Sequence, residues 1–121
     1  EASAPAGGVT ASIDPTPTLL FRYSALTFNG HRIHYDAPYA RDVEGYPGLV
    51  VHGPLQATLL LDLAERQRGT APRRFDFRSM STLYGGEEML LHAGALRDGT
   101  MPLWTTRPGG SVAMQAQARW S

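Results

Sequence analysis

Between Gly53-Pro54 and Gly69 the apolar residues Leu55, Leu59, Leu60, Leu63 and Ala64 recur at helical spacing, and beyond Pro72 the apolar spacing shortens to two. This change of period, one long helix followed by strands, restricts the fold more than any other feature of the chain. The Gly-Pro pair starts the helix, Glu65 to Arg68 make its last turn polar, and Gly69 closes it. Its apolar surface is broad enough to be buried, so this helix is the expected core. Downstream, Phe75, Phe77, Ser79 and Ser81 alternate with Arg74, Asp76 and Arg78. Met89 to Leu96, Met101 to Thr106 and Val112 to Trp120 make three further runs, separated by the turn signals Gly85-Gly86, Asp98-Gly99 and Pro108-Gly109-Gly110. The pattern predicts an antiparallel meander. Helices first and a curved sheet second define an α+β domain in which the long helix lies against the concave face of the sheet.

Residues 1–17, with Ser3-Ala4-Pro5-Ala6-Gly7-Gly8 and two later prolines, hold few large apolar groups and read as a flexible tail or linker, with a single domain over 18–121. Leu19, Leu20, Tyr23, Leu26 and Thr27 fit one face of a helix over 18–28, capped by Asp14 or Thr16. Asp36-Ala37-Pro38 opens a second, short helix that Gly45 and Pro47 end. A chain of 121 residues accommodates one core of ordinary size. Basic and acidic residues balance at 11 each and are interspersed, which leaves no electrostatic footprint for nucleic acid or an anionic membrane. The absence of cysteine removes disulfides and thiolate chemistry. No apolar run approaches the roughly 20 residues that span a bilayer, and no secretory signal pattern is visible, so a cytoplasmic protein is expected.

Chemistry concentrates in Asn29-Gly30-His31-Arg32-Ile33-His34-Tyr35-Asp36 and in Val50-Val51-His52-Gly53-Pro54. Asn29 lies five residues before His34 across a permissive glycine, so the two side chains are candidates to converge on one water molecule. Asn29 also suits a left-handed helix cap, and His34 suits a packed structural histidine. His31 and His34, with Asp36, have a spacing compatible with metal ligation, although no second ligand cluster supports it. The helix start at His52-Gly53 offers unpaired backbone N–H groups that suit a developing oxyanion, and because Pro54 has none, Gly53 is the candidate donor. Arg22, Arg32 and Arg41 flank the region as carboxylate or phosphate ligands or as members of surface ion pairs with Asp36, Asp42 or Glu44. Glu44 is a candidate base at an exposed helix end, and His92 reads as a packing or surface residue.

Phe21 to Asp36 together with Gly45 to Leu55 resembles the catalytic half of MaoC-like hot-dog-fold hydratases. Within that group the likeness is to the mesaconyl-CoA and itaconyl-CoA hydratase branch and its 3-hydroxyacyl-thioester dehydratase relatives. The resemblance covers about residues 18–121 and implies a hot-dog fold, with the long central helix wrapped by the sheet. It implies reversible addition of water across an α,β-unsaturated acyl thioester without metal or redox cofactor, CoA being part of the substrate. His34 matches the family's catalytic histidine and Gly53 its amide donor. Asn29 stands where the wider family has a catalytic aspartate. An amide orients water but takes no proton at neutral pH, so proton transfer falls to His34 and water positioning to Asn29, with His31 or Glu44 as candidates for the lost carboxylate's role. His31, Arg32 and His52 are the expected substrate-binding residues. Many members of the branch resemble two fused hot-dog halves, so a homodimer or a second hot-dog domain or subunit is the implied partner. Acyl-CoA thioester hydrolysis and non-catalytic acyl-CoA binding are the alternative functions on the same fold.

Overall fold

The computed structural model describes residues 7–121. Its centre is helix α3, Gly53–Arg68, which starts from an extended His52 and ends at Gly69, whose φ of 88° is the left-handed stop that glycine adopts without steric cost. The helix buries Leu55, Gln56, Ala57, Leu60, Leu63 and Ala64. They pack in one cluster with Met89, Leu91 and Ala93 of β3 (Met89–Ala93), Met101 and Leu103 of β4 (Thr100–Thr106), and Met114, Ala116 and Ala118 of β5 (Met114–Arg119). Along β5 burial alternates at every residue, so one sheet face is core and the other polar. The predicted helix and the period of two after it are both observed.

Strand order departs from a simple meander. The sheet runs β1-β3-β4-β5-β2, with every neighbouring pair antiparallel. Strands β3, β4 and β5 follow one another as predicted, but β2 (Arg74–Ser79) lies beyond β5. The reason is the path of the segment after β2. Met80 and Ser81 donate to the Ala113 carbonyl; the chain then crosses the start of α3, where Val51 N–H bonds Leu83 and Gly85 N–H bonds Leu49. It therefore reaches β3 on the far side of the sheet.

The tail reading fails for Val9–Ile13, which forms β1 and pairs residue by residue with β3, Val9 opposite Ala93 and Ile13 opposite Met89. An exposed edge of β3 supplies the backbone hydrogen bonds, so the strand needs few large side chains of its own. Residues 1–6 of the expected tail lie outside the described residues. Helix α1 (Pro17–Leu26) is capped by Thr16, whose hydroxyl accepts from Leu19 N–H at 3.1 Å. Its buried stripe is narrower than predicted: Leu20 and Ser24 are inside, whereas Leu26 is 79% exposed. Asp36 caps α2 (Ala37–Asp42) as expected, its carboxylate accepting from Tyr39 N–H at 3.2 Å. Among the described residues no helix is long and apolar enough to cross a membrane.

Candidate active site

Helix α1 delivers the first element of the site through its C-terminus. Asn29 N–H donates to the Ser24 carbonyl at 2.8 Å and Phe28 N–H to that of Ala25 at 3.3 Å, the paired bonds of a Schellman motif. The left-handed residue is Phe28, φ 55°, rather than Asn29, which follows it directly. The Asn29 Oδ1 then accepts from His31 N–H at 3.1 Å, closing a tight turn. Because Oδ1 is committed to the turn, the Nδ2 group is the part of the amide left to donate to a ligand. A cleft of about 320 Å³ opens beside it, walled by Phe21, Ala25, Phe28 and Tyr35.

His34 ends a short 3-10 turn, Arg32–His34, and is 9% exposed. Its Nδ1 lies 2.7 Å from the Val50 carbonyl. A carbonyl only accepts, so Nδ1 carries the proton and Nε2 holds the lone pair. Burial pushes the pKa of His34 below 6.5; the Val50 bond opposes this, and nearby His31 adds to it. The ring is thereby kept as a neutral base. Val50 belongs to the segment that leads through Val51 and His52 into α3, so the carbonyl that orients His34 lies three residues before Gly53. Gly53 N–H has no hydrogen-bond partner among the described residues, as expected of the first residue of a helix.

His52 is not where a substrate-binding residue belongs. It is 1% exposed and stacks behind His34, ring centroids 3.8 Å apart and planes 17° from parallel. Tyr23 meets it edge-on at 4.8 Å, and Ser24 Oγ lies 2.7 Å from its Nε2. Its neighbours fill the space around the ring, which is why it turns inward from the helix start. Burial, with a smaller effect from His34, pushes the pKa of His52 down to about 4. His31 is exposed, and its ring is 6.0 Å from that of His34. Arg32 forms the surface pair: its Nη2 lies 2.8 Å and its Nε 3.0 Å from Asp36 Oδ2, with the guanidinium 4.1 Å above the Tyr39 ring. That bond holds the Asp36 carboxyl below its ordinary range. Asp36 is thus shared between Arg32 and the α2 cap, and among the described residues no group of three His, Asp or Glu side chains gathers as a metal site. Glu44 is exposed and accepts from Tyr39 Oη at 3.0 Å.

Ser24, the Val50 carbonyl and the buried pair in which Thr105 Oγ1 donates to Gln56 Oε1 at 2.7 Å escaped the sequence reading. Ser24 had a signal: a polar residue four positions after Leu20, on the stripe that must face inward. His92 is a packing residue, as expected, buried with Nε2 2.9 Å from Thr106 Oγ1 and stacked on Trp104.

His34, His52 and His92 all have pKa values lowered by burial, so an unfolded chain takes up protons at a higher pH than the native one. Stability should therefore be flat above pH 7 and fall as the pH drops from about 6.5 towards 4. His52 alone accounts for a loss of up to about 3 kcal/mol at the bottom of that range. Denaturant titrations at pH 7.0, 5.5 and 4.5 check this, and a constant unfolding free energy would contradict it.

A long helix wrapped by a five-stranded antiparallel sheet is the hot-dog architecture. Solved structures agree on the fold. The (R)-hydratase from A. caviae aligns with a TM-score of 0.78 over 96% of this chain and 95% of that one, at 21% identity. A MaoC-like dehydratase from Phytophthora capsici aligns with a TM-score of 0.81 over 100% of this chain and 42% of the other, at 15% identity. The chain belongs to the hydroxyacyl-thioester dehydratase type 2 family, whose profile matches residues 1–85. It is 48% identical over 108 residues to mesaconyl-C(4)-CoA hydratase of Chloroflexus aurantiacus, a match covering 89% of this chain and 38% of that protein. It is 45% identical over 73 residues to the mitochondrial hydroxyacyl-thioester dehydratase type 2 of Schizosaccharomyces pombe, covering 58% of this chain and 24% of the relative. The chain thus spans well under half the length of either curated relative.

Proposed function

We propose that the chain catalyses reversible hydration of an α,β-unsaturated acyl-CoA thioester, with a short branched or dicarboxylic acyl group of the mesaconyl or itaconyl kind. One observation carries the reading: the Val50 carbonyl fixes His34 as the Nδ1–H tautomer, leaving Nε2 as a neutral acceptor on the segment that also bears Asn29. In the hydration direction Asn29 Nδ2 donates to the water oxygen and His34 Nε2 takes one of its protons. The oxygen bonds to the β-carbon, and the π electrons move to the thioester oxygen, where the Gly53 N–H receives the enolate charge. The imidazolium then returns its proton to the α-carbon, so that one water has been added across the double bond. Dehydration runs the same steps backwards. His31 and Arg32 belong to the rim of this site. The reading invokes no metal or redox group.

Incubation with mesaconyl-C4-CoA, itaconyl-CoA and crotonyl-CoA tests it, following enoyl-thioester absorbance and free thiol in one sample. Loss of absorbance without thiol is the expected result. Thiol release would assign a thioesterase, and saturable binding without turnover a non-catalytic subunit.

A second copy, or another hot-dog domain, is the proposed partner. Phe21, Leu26, Phe28 and Tyr35 are exposed beside Asn29, Phe28 by 95%, and Phe77 and Met80 are about half-exposed at and just beyond the β2 edge. Phe28 occupies a left-handed conformation that disfavours any side chain. Phe28→Gly should therefore stabilise the subunit by about 1 kcal/mol while weakening assembly. Denaturant midpoints and sedimentation mass measure the two effects, and an unchanged mass would remove Phe28 from the interface. A cytoplasmic setting, with which the cysteine-free composition is compatible, is part of the proposal; fractionation of the source cells tests it.

A further inference from the structure

His52 is a buried polar group beside the site that the proposed chemistry does not use. Three side chains hold its ring. One face lies on His34 at 3.8 Å, Tyr23 approaches edge-on at 4.8 Å, Ser24 holds Nε2 at 2.7 Å, and the main chain continues directly into α3. Its Nδ1 is buried and has no hydrogen-bond partner among the described residues, an unpaired polar atom that an apolar ring of similar shape would avoid. Packing alone does not call for such a group.

The stacked face does something that no other contact of His34 does. The Val50 bond fixes one nitrogen of the imidazole, which leaves the ring free to swing about that point. A parallel ring at van der Waals distance removes the swing and defines where Nε2 points. We propose that His52 is a positioning residue that fixes the ring plane of His34 through this stacked face, with Ser24 as its anchor. The proposal rests on the reading of His34 as the proton-transfer group.

Val50, His52 and Gly53 then act as one unit: a carbonyl sets the tautomer, a ring sets the plane, and an N–H meets the oxyanion. Because they lie within four consecutive residues, the base and the oxyanion donor keep their mutual geometry without relying on distant packing. Charge fits the same role. Tyr23 of α1 and His31, which caps the 3-10 turn, are the titratable groups that meet the stacked pair, and among the described residues no carboxylate contacts either ring. His52 stays neutral wherever His34 cycles, so the imidazolium formed in turnover meets the π face of a neutral ring rather than a second cation.

Three variants test the proposal: His52→Leu, which removes the flat face; His52→Phe, which keeps a flat ring without polar atoms; and Ser24→Ala, which releases the anchor. His52→Leu should lower kcat about 10- to 100-fold while KM changes little, because ground-state contacts are untouched. His52→Phe should recover most of that loss, and Ser24→Ala should fall between them. Equal losses in folded Leu and Phe variants, or wild-type kcat in His52→Leu, would overturn the proposal. Nuclear magnetic resonance of the histidine rings provides an arm independent of turnover. In the wild type the His34 ring protons should be shifted upfield by the stack, a shift retained in His52→Phe and lost in His52→Leu. Absence of that shift in the wild type would also overturn the proposal. A wild type that hydrates no enoyl thioester but shows the shift would refute the hydratase reading and leave the stack established.

Discussion

His34→Ala is expected to lower kcat for enoyl-CoA hydration by about two to four orders of magnitude, with a much smaller effect on KM. The expectation follows from one geometric fact. Val50 commits Nδ1 as a donor, so the imidazole reaches a bound water only through its Nε2 lone pair, while His31 is exposed with its ring 6.0 Å away. Neither neighbouring candidate replaces it: Asn29 is an amide that accepts no proton at neutral pH, and Glu44 is exposed and bonded to Tyr39. The substitution also leaves the Val50 carbonyl without its partner, a cost of about 1 kcal/mol, so the folded fraction must be measured beside the rate. A folded variant with kcat within about tenfold of wild type would remove His34 from the proton-transfer role.

Gly53→Pro should lower kcat by about 100- to 1,000-fold and leave the fold nearly intact. Proline is at home in the first turn of a helix, and the His52 before it is already extended at ψ 135°, as a residue preceding proline prefers. The N–H that disappears has no partner among the described residues, so its loss falls on the oxyanion alone. Gly53→Ala is the matched control. A Cβ there would lie 3.4 Å from Ser79 Oγ and 3.7 Å from Met114 Cε, ordinary contact distances, and the donor is retained. Steady-state kinetics with thermal melts of both variants separate the two effects. A proline variant as active as the alanine variant would exclude the Gly53 amide from the reaction.

Local signals in the sequence located every helix of two turns or more and strands β2 to β5, but not the strand order. The caps of α2 and α3 and the alternation in β5 are properties of neighbouring residues, and Asp36, Gly69 and Met114 to Arg119 behave as their chemistry suggests. The place of β2 beyond β5 is decided by the crossing of residues 80–88 over the start of α3, a long-range path with no local signature. Strand β1 was missed for a related reason, since its stability comes from the backbone of β3 rather than from its own small side chains. In the site, His34, Asn29 and Gly53 were legible from type and spacing. The tautomer of His34 was not, because it is fixed by a carbonyl 16 residues away. His52, expected to bind substrate, is instead buried, because the direction of a ring is not readable from its place beside Gly53. Arg32 pairs with the carboxylate four residues on, one of the surface ion pairs that its neighbours in the sequence offered.

The most direct test of the central claim is where the oxygen of water goes. Purified chain is incubated with mesaconyl-C4-CoA, and with crotonyl-CoA in parallel, in water enriched in oxygen-18, and the products are resolved by mass spectrometry. The expected product is an intact CoA thioester carrying the label in a new β-hydroxyl group. Label in a released carboxylate, or recovery of both thioesters unchanged, would contradict the account.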